Sequence, residues 1–146
     1  MIAIIDYGSG NIQAIKNIYK RLKIECKFVS EPNQLDGVDK IILPGVGAFD
    51  EAMTQLNESG LREVLDLMVL EQKVPVLGVC VGMQIMAASS DEGKLQGLGW
   101  FNAKVKLFDE QIINHKPKLP HMGWNEIKPK NEHPILTSID FEKGYY

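Results

Sequence analysis

The sequence has little cysteine, no long apolar run and almost no excess of charge, and each shortage closes off a class of protein. Two cysteines in 146 residues, Cys26 and Cys80, are too few for a disulfide framework. No apolar stretch approaches the roughly 20 residues that a membrane-spanning helix requires. A formal net charge of -3 gives no basic excess of the kind that draws a protein to nucleic acid. Met1 to Asp6 has no basic flank and meets an acidic residue within one short strand, so it does not read as a signal peptide. The expectation is a soluble, cytoplasmic protein with two reduced thiols and neither a nucleic-acid nor a membrane partner.

What is present suits one core. Apolar residues make up 45% and charged residues 24%, which is ordinary for a globular chain. Ile2 to Ile5 is a continuous apolar run, and Gly8-Ser9-Gly10-Asn11 turns from it into Ile12, Ile15, Tyr19 and Leu22 at helical spacing. Cys26 to Val29 and Lys40 to Leu43 read as further strands, the latter stopped by Pro44-Gly45. Phe49 to Val69 is helical in composition but broken near Ser59-Gly60. A fourth buried strand is expected over Val74 to Val79, and a helix restarts over Val81 to Ala88. Apolar strands alternating with helices predict an α/β fold, a mostly parallel sheet covered on both faces. After Ser89, glycine and proline punctuate short strand-like pieces such as Trp100 to Phe108, so the second half is expected to be β-rich and loop-rich, within the same domain. Phe141 to Tyr146 reads as the start of a strand, and a domain seldom stops inside an element, so the chain is expected to be cut short.

The strongest chemical signal is Gly78-Val79-Cys80-Val81-Gly82, where a strand meets a helix. This is a nucleophile elbow with cysteine at its centre. The turn is so sharp that side chains two positions either side of the nucleophile would strike neighbouring backbone, and glycine removes them. A free cysteine is ordinarily a small buried apolar residue. Here strand, turn and flanking glycines together favour a nucleophile, with its sulfur at a helix N-terminus and the Val81 N–H placed as an oxyanion donor.

Two glycine-rich turns share the sheet edge where α/β proteins bind ligands. Pro44-Gly45-Val46-Gly47 could face N–H groups toward an oxyanion or carboxylate, although alone it fits a plain turn. Gly8-Ser9-Gly10 lacks the third glycine of a dinucleotide site, since Gln13 stands there, and reads as a tight turn. A thiolate nucleophile usually works with an imidazole. The histidines, His115, His121 and His133, all lie in the loop-rich half, and sequence distance excludes none of them.

Gly8-Ser9-Gly10-Asn11, Pro44-Gly45-Val46-Gly47, Gly78-Val79-Cys80-Val81-Gly82-Met83-Gln84, Ser89-Ser90-Asp91-Glu92-Gly93 and Pro120-His121-Met122-Gly123-Trp124-Asn125, in this order, resemble the glutaminase subunits of imidazole glycerol phosphate synthase. These are class I glutamine amidotransferases, of flavodoxin-like fold. The resemblance implies that Cys80 attacks the side-chain amide of glutamine. It implies oxyanion donors at the backbone of Val81 and, after a peptide reorients when the partner binds, of Val46. It assigns Gly47, Gln84 and Glu92 to the substrate, and Gly8, Ser9, Gly10, Asn11 and Trp124 to a TIM-barrel cyclase partner that receives the ammonia for histidine biosynthesis. No cofactor and no metal are implied.

The chain departs from the family pattern in two places. Val81 stands where leucine is commoner, which changes little because the donor is backbone. The family's catalytic His and Glu would follow a strand that Gly144-Tyr145-Tyr146 begins, and neither His121 nor His133 matches that position. On this reading the chain ending at Tyr146 lacks its base and releases glutamate no faster than a Cys80→Ala variant. Two alternatives stay open: the same glutaminase chemistry feeding a sugar amidotransferase in surface-polysaccharide synthesis, or an inactive, truncated binding module.

Overall fold

A computed structural model describes residues 1–114, 116, 119–120 and 122–144. The chain divides into two compact units, Met1–Leu107 and Phe108–Tyr146, each described in its own terms.

In the first unit, β1 (Ile2–Ile5), β2 (Cys26–Val29), β3 (Lys40–Leu43) and β4 (Val76–Gly78) form one parallel sheet in the order β2-β1-β3-β4. The central strands are buried on both faces, with Ala3, Ile4, Ile5, Ile41, Ile42 and Leu43 all in the interior. This is why they read as unbroken apolar runs. Two helices follow β3, α2 (Phe49–Glu58) and α3 (Arg62–Asp66), the second continuing into a π-helical turn over Leu67–Glu71. They bury Phe49, Ala52, Met53, Leu56, Leu61 and Leu65 at helical spacing against Ala3, Ile5, Ile41 and Leu43. Gly60, at φ +73°, supplies the left-handed residue that separates them, at the break read from Ser59-Gly60.

The helix α1 (Ile12–Arg21) joins β1 to β2 and is capped by Asn11, whose side chain accepts from the Ala14 N–H at 3.1 Å. The chain leaves β1 for β2 on one side and later crosses to β3 and β4 on the other. Right-handed crossovers in opposite directions put α1 and the α2–α3 pair on opposite faces. The α/β expectation is therefore met.

Four expectations need correction. The fourth strand spans Val76–Gly78, shorter than Val74 to Val79, and Leu77 is 44% exposed because β4 has a neighbour on one side only among the described residues. The following helix α4 is one turn, Val81–Gln84, rather than a run to Ala88. The expected β-rich half contains β5 (Ser89–Ser90) and β6 (Lys104–Val105), a two-residue parallel pair, and is otherwise mainly turns and loops among the described residues. Glycine and proline set its course by breaking ladders rather than by spacing them. In the second unit, Pro134–Leu136 forms one 3₁₀ turn, and 141–144 forms a turn rather than a strand; the end of the expected strand, 145–146, lies outside the described residues.

Candidate active site

The loops after β1, β3 and β4 leave the same edge of the sheet. The order reverses at β1, so the chain diverges between β1 and β3, and this is where open α/β sheets form their ligand crevice. Register decides which atoms meet. Leu43 of β3 pairs with Gly78 of β4, and the Val79 N–H donates to the Leu43 carbonyl at 2.9 Å, so the elbow begins level with the last residue of β3.

Val79 to Gly82 make a tight turn closed by the Gly82 N–H donating to the Val79 carbonyl at 3.0 Å. Cys80 occupies its second position with φ +56° and ψ -121°, the type II′ geometry that ordinarily takes glycine. Holding a side chain there costs about 1–3 kcal/mol. Three glycines make the turn possible. A Cβ on Gly82 would fall onto the Leu43 carbonyl oxygen and lie 2.7 Å from the Pro44 carbonyl carbon. One on Gly78 would overlap Met83 and lie 2.6 Å from the Met86 sulfur. Gly45, on the facing loop, would strike the Gly82 nitrogen and come within 2.9 Å of the Tyr7 hydroxyl. The elbow is thus wedged against the exit of β3, with the Cys80 side chain exposed. Val81 is buried, yet its N–H has no acceptor among the described residues. With α4 a single turn, what the site offers an anion is local N–H groups rather than the dipole of a long helix.

The Pro44–Gly47 loop is held from beneath by the loop after β1. Tyr7, buried, donates its hydroxyl to the Pro44 carbonyl at 2.6 Å, and burial pushes that phenol above its usual range. Gly10, at φ +98°, leaves room for Pro44, whose Cβ would be 2.7 Å from an added side-chain carbon. Ser9, 6% exposed, grips the Val46 backbone at both ends: its hydroxyl donates to the Val46 carbonyl at 3.1 Å and accepts from the Val46 N–H at 3.0 Å. The Val46 N–H is therefore engaged with Ser9.

Further along the chain, the segment from Ser90 to Leu95 is pinned at three points. The Ser90 hydroxyl accepts from the Glu92 N–H at 3.1 Å, Asp91 pairs with Lys104, and the Asp50 carboxylate accepts from the N–H groups of Lys94 at 2.9 Å and Leu95 at 3.0 Å. Those two amides hold the Asp50 carboxyl below the usual carboxylate range, that of Lys94 first.

A family model for class I glutamine amidotransferases matches residues 3–139. The chain belongs to the class I glutamine amidotransferase family. It is 51% identical over 146 residues to the imidazole glycerol phosphate synthase subunit HisH of Bdellovibrio bacteriovorus, covering all of this chain and 72% of that one. It is 43% identical to the HisH subunit of Leptospira borgpetersenii with the same coverage, and 46% identical to the HisH 2 subunit of Methanococcus maripaludis, of which it covers 71%. Among solved structures, a glutamine amidotransferase superposes with a TM-score of 0.59 at 23% identity, covering 73% of this chain and 56% of the other, which supports the fold.

Within this amidotransferase chain, the structure brings Cys80, Val81, Gln84, Val46, Gly47, Ser9 and Gly10 onto elements that meet at one sheet edge. Gly8 and Asn11 lie on the same loop as Ser9. Trp124, read from the sequence as a partner contact, belongs to the second unit and is 75% exposed. Met1–Leu107 contains no histidine. In the second unit His133 starts the 3₁₀ turn, its ring nitrogen accepting from the Ile135 N–H at 3.2 Å; His115 and His121 lie outside the described residues. Sequence reasoning missed Tyr7, Asp50 and the contact of Gly45 with Gly82. A trace of the second was available: Gly93 is small because Asp50 fills the place of its side chain.

Proposed function

We propose that this chain is the glutaminase subunit of an imidazole glycerol phosphate synthase, with Cys80 as its nucleophile. The observation that carries the proposal is the elbow, a cysteine held in a glycine's conformation beside a Val81 N–H that has no acceptor among the described residues. The similarity to subunits of imidazole glycerol phosphate synthase favours a cyclase over a sugar-modifying enzyme as the recipient of ammonia.

In this reading the Cys80 thiolate adds to the side-chain amide carbon of glutamine, forming the S–C bond and moving the carbonyl electron pair onto oxygen. The Val81 N–H stabilises that oxyanion. The Val46 N–H joins it once Ser9 lets go, which makes the second donor dependent on a change in the Pro44–Gly47 loop. Collapse of the intermediate breaks the C–N bond, and ammonia leaves on taking up a proton. Water then cleaves the thioester to glutamate, restoring Cys80. Gly47, Gln84 and Glu92 hold the substrate, while Gly8, Ser9, Gly10, Asn11 and Trp124 meet the cyclase.

The test is product formation by the assembled two-subunit synthase. Cys80→Ala abolishes the glutamine-dependent reaction and spares the reaction driven by added ammonium salt. Retention of glutamine-dependent turnover by Cys80→Ala would overturn the assignment.

A further inference from the structure

Asp50 sits in the first turn of α2, where a carboxylate ordinarily serves its own helix end. Here both oxygens are turned elsewhere. One accepts from Lys94 and Leu95, each at 3.0 Å, and the other from Lys94 at 2.9 Å, across more than 40 residues of sequence. The contact is built from both sides. A Cβ on Gly93 would overlap an Asp50 carboxylate oxygen and lie 2.8 Å from its carboxyl carbon and 3.1 Å from the Phe49 ring. Gly93 therefore gives up its side chain to let the carboxylate reach the two amides.

The position of this clamp gives it a consequence for binding. Asp50 follows Gly47 by three residues and Lys94 follows Glu92 by two. Glu92 is exposed, and among its own backbone contacts is the Ser90 hydroxyl at 3.1 Å, a neighbour only two residues away. Past Glu92, Asp50 ties Lys94 and Leu95 to α2, while the neighbouring bonds, from the Asp91 N–H to Val105 and from the Gly97 and Leu98 N–H groups to Ala88 and Ile85, run to other elements, so Asp50 is the link between this segment and the helix after Gly47.

We infer that Asp50 is a positioning residue for glutamine binding, tying the Glu92 segment to the helix that begins just after Gly47, so that two substrate-holding segments keep a constant separation. This rests on the proposed roles of Gly47 and Glu92. A carboxylate accepting backbone N–H groups is a charge-assisted arrangement, stronger than a neutral pair and directional, which suits the task of setting a distance. Because the Asp50 carboxylate bonds to Lys94 and Leu95 and not to Cys80 or Val81, its loss weakens substrate binding and spares the chemical step.

Initial rates of glutamine hydrolysis by the assembled synthase decide the matter, with KM and kcat measured separately. Asp50→Ala raises KM for glutamine about tenfold, the size expected for losing hydrogen bonds to a charged group, with kcat within about twofold of wild type. Asp50→Asn keeps an acceptor oxygen for both amides and raises KM less, by about threefold. Gly93→Ala attacks the same contact from the loop side and also raises KM. A merely structural role would lower the active fraction and hence apparent kcat at unchanged KM. Wild-type KM in both Asp50→Asn and Gly93→Ala, or a loss confined to kcat, overturns the inference even if Asp50→Ala does not fold. If Cys80→Ala still hydrolyses glutamine, it is the glutaminase reading that fails; if Cys80→Ala is inactive while the Asp50 and Gly93 variants keep KM, only the positioning role fails.

Discussion

Two turns at one edge of the sheet each carry a backbone N–H suited to an oxyanion, and they are held in opposite ways. The turn after β4 is fixed by exclusion: Gly78 and Gly82 have no room for a single added carbon, and the Val81 N–H is left without an acceptor among the described residues. The turn after β3 is fixed by attraction. Its Val46 N–H is engaged by one buried hydroxyl, and Val46 itself is 55% exposed. Steric exclusion has no alternative state at low energy, whereas a net hydrogen bond is worth only about 0.5–1.5 kcal/mol and can be exchanged. On the proposed roles of Val81 and Val46, the difference separates a permanent half of the site from a switchable half.

The comparison breaks most severely at Gly82. Gly82→Ala places a methyl group on the Leu43 carbonyl, and a backbone atom cannot yield as a side chain does. The expected loss is about 3 kcal/mol in chemical denaturation, together with loss of glutamine-dependent activity. A stability within 1 kcal/mol of wild type, a margin about the size of one ordinary hydrogen bond, would show that the elbow is less tightly wedged than its contacts indicate.

Ser9→Ala sharpens the other half. Freed from its hydroxyl, the Val46 N–H is available before any partner docks, so glutamine hydrolysis by the isolated subunit rises several-fold, up to about tenfold, and the stimulation by the cyclase falls by the same factor. An unchanged or lower partner-free rate would mean that release of Val46 does not limit the reaction.

Tyr7→Phe tests the support beneath the same loop. It removes the donor to the Pro44 carbonyl and leaves that oxygen unpaired in the interior, at a cost of about 1–2 kcal/mol in thermal or chemical denaturation. The phenol also gives the site a signature in alkali. Burial raises its folded pKa above the ordinary 10.0, so the stabilisation is complete below that value and falls as pH rises above it through the folded pKa. Tyr7→Phe should flatten this decline; an identical alkaline stability profile would mean that Tyr7 does not govern it.

The elements that read correctly from the sequence are those whose pattern is local. Ile2–Ile5 and Lys40–Leu43 are strands as read, because central strands covered on both faces run apolar through their buried positions; Cys26–Val29 at the sheet edge is also a strand as read, although Lys27 interrupts its apolar run. Where a neighbour decides, the reading drifted. Val74 to Val79 has a similar apolar composition, yet its strand is three residues long and Leu77 is 44% exposed, because its place at the end of the sheet is a fact of topology. Trp100 to Phe108 has strand propensity, but only Lys104–Val105 finds a ladder partner in Ser89–Ser90.

The site divides along the same line. By itself the sequence determined the elbow, the position of Cys80 and the two glycine-rich turns, since a sharp turn restricts the residues at fixed offsets from its centre. Only the tertiary structure decided that Ser9 holds both ends of the Val46 backbone, that Gly45 packs on Gly82, and that Asp50 reaches Lys94 and Leu95. Each of these contacts joins residues about 37 to 45 positions apart. The first two follow from the register of a parallel sheet, which sets strand ends side by side, and the third from the packing of α2 beside a loop; none leaves a periodic trace in the chain.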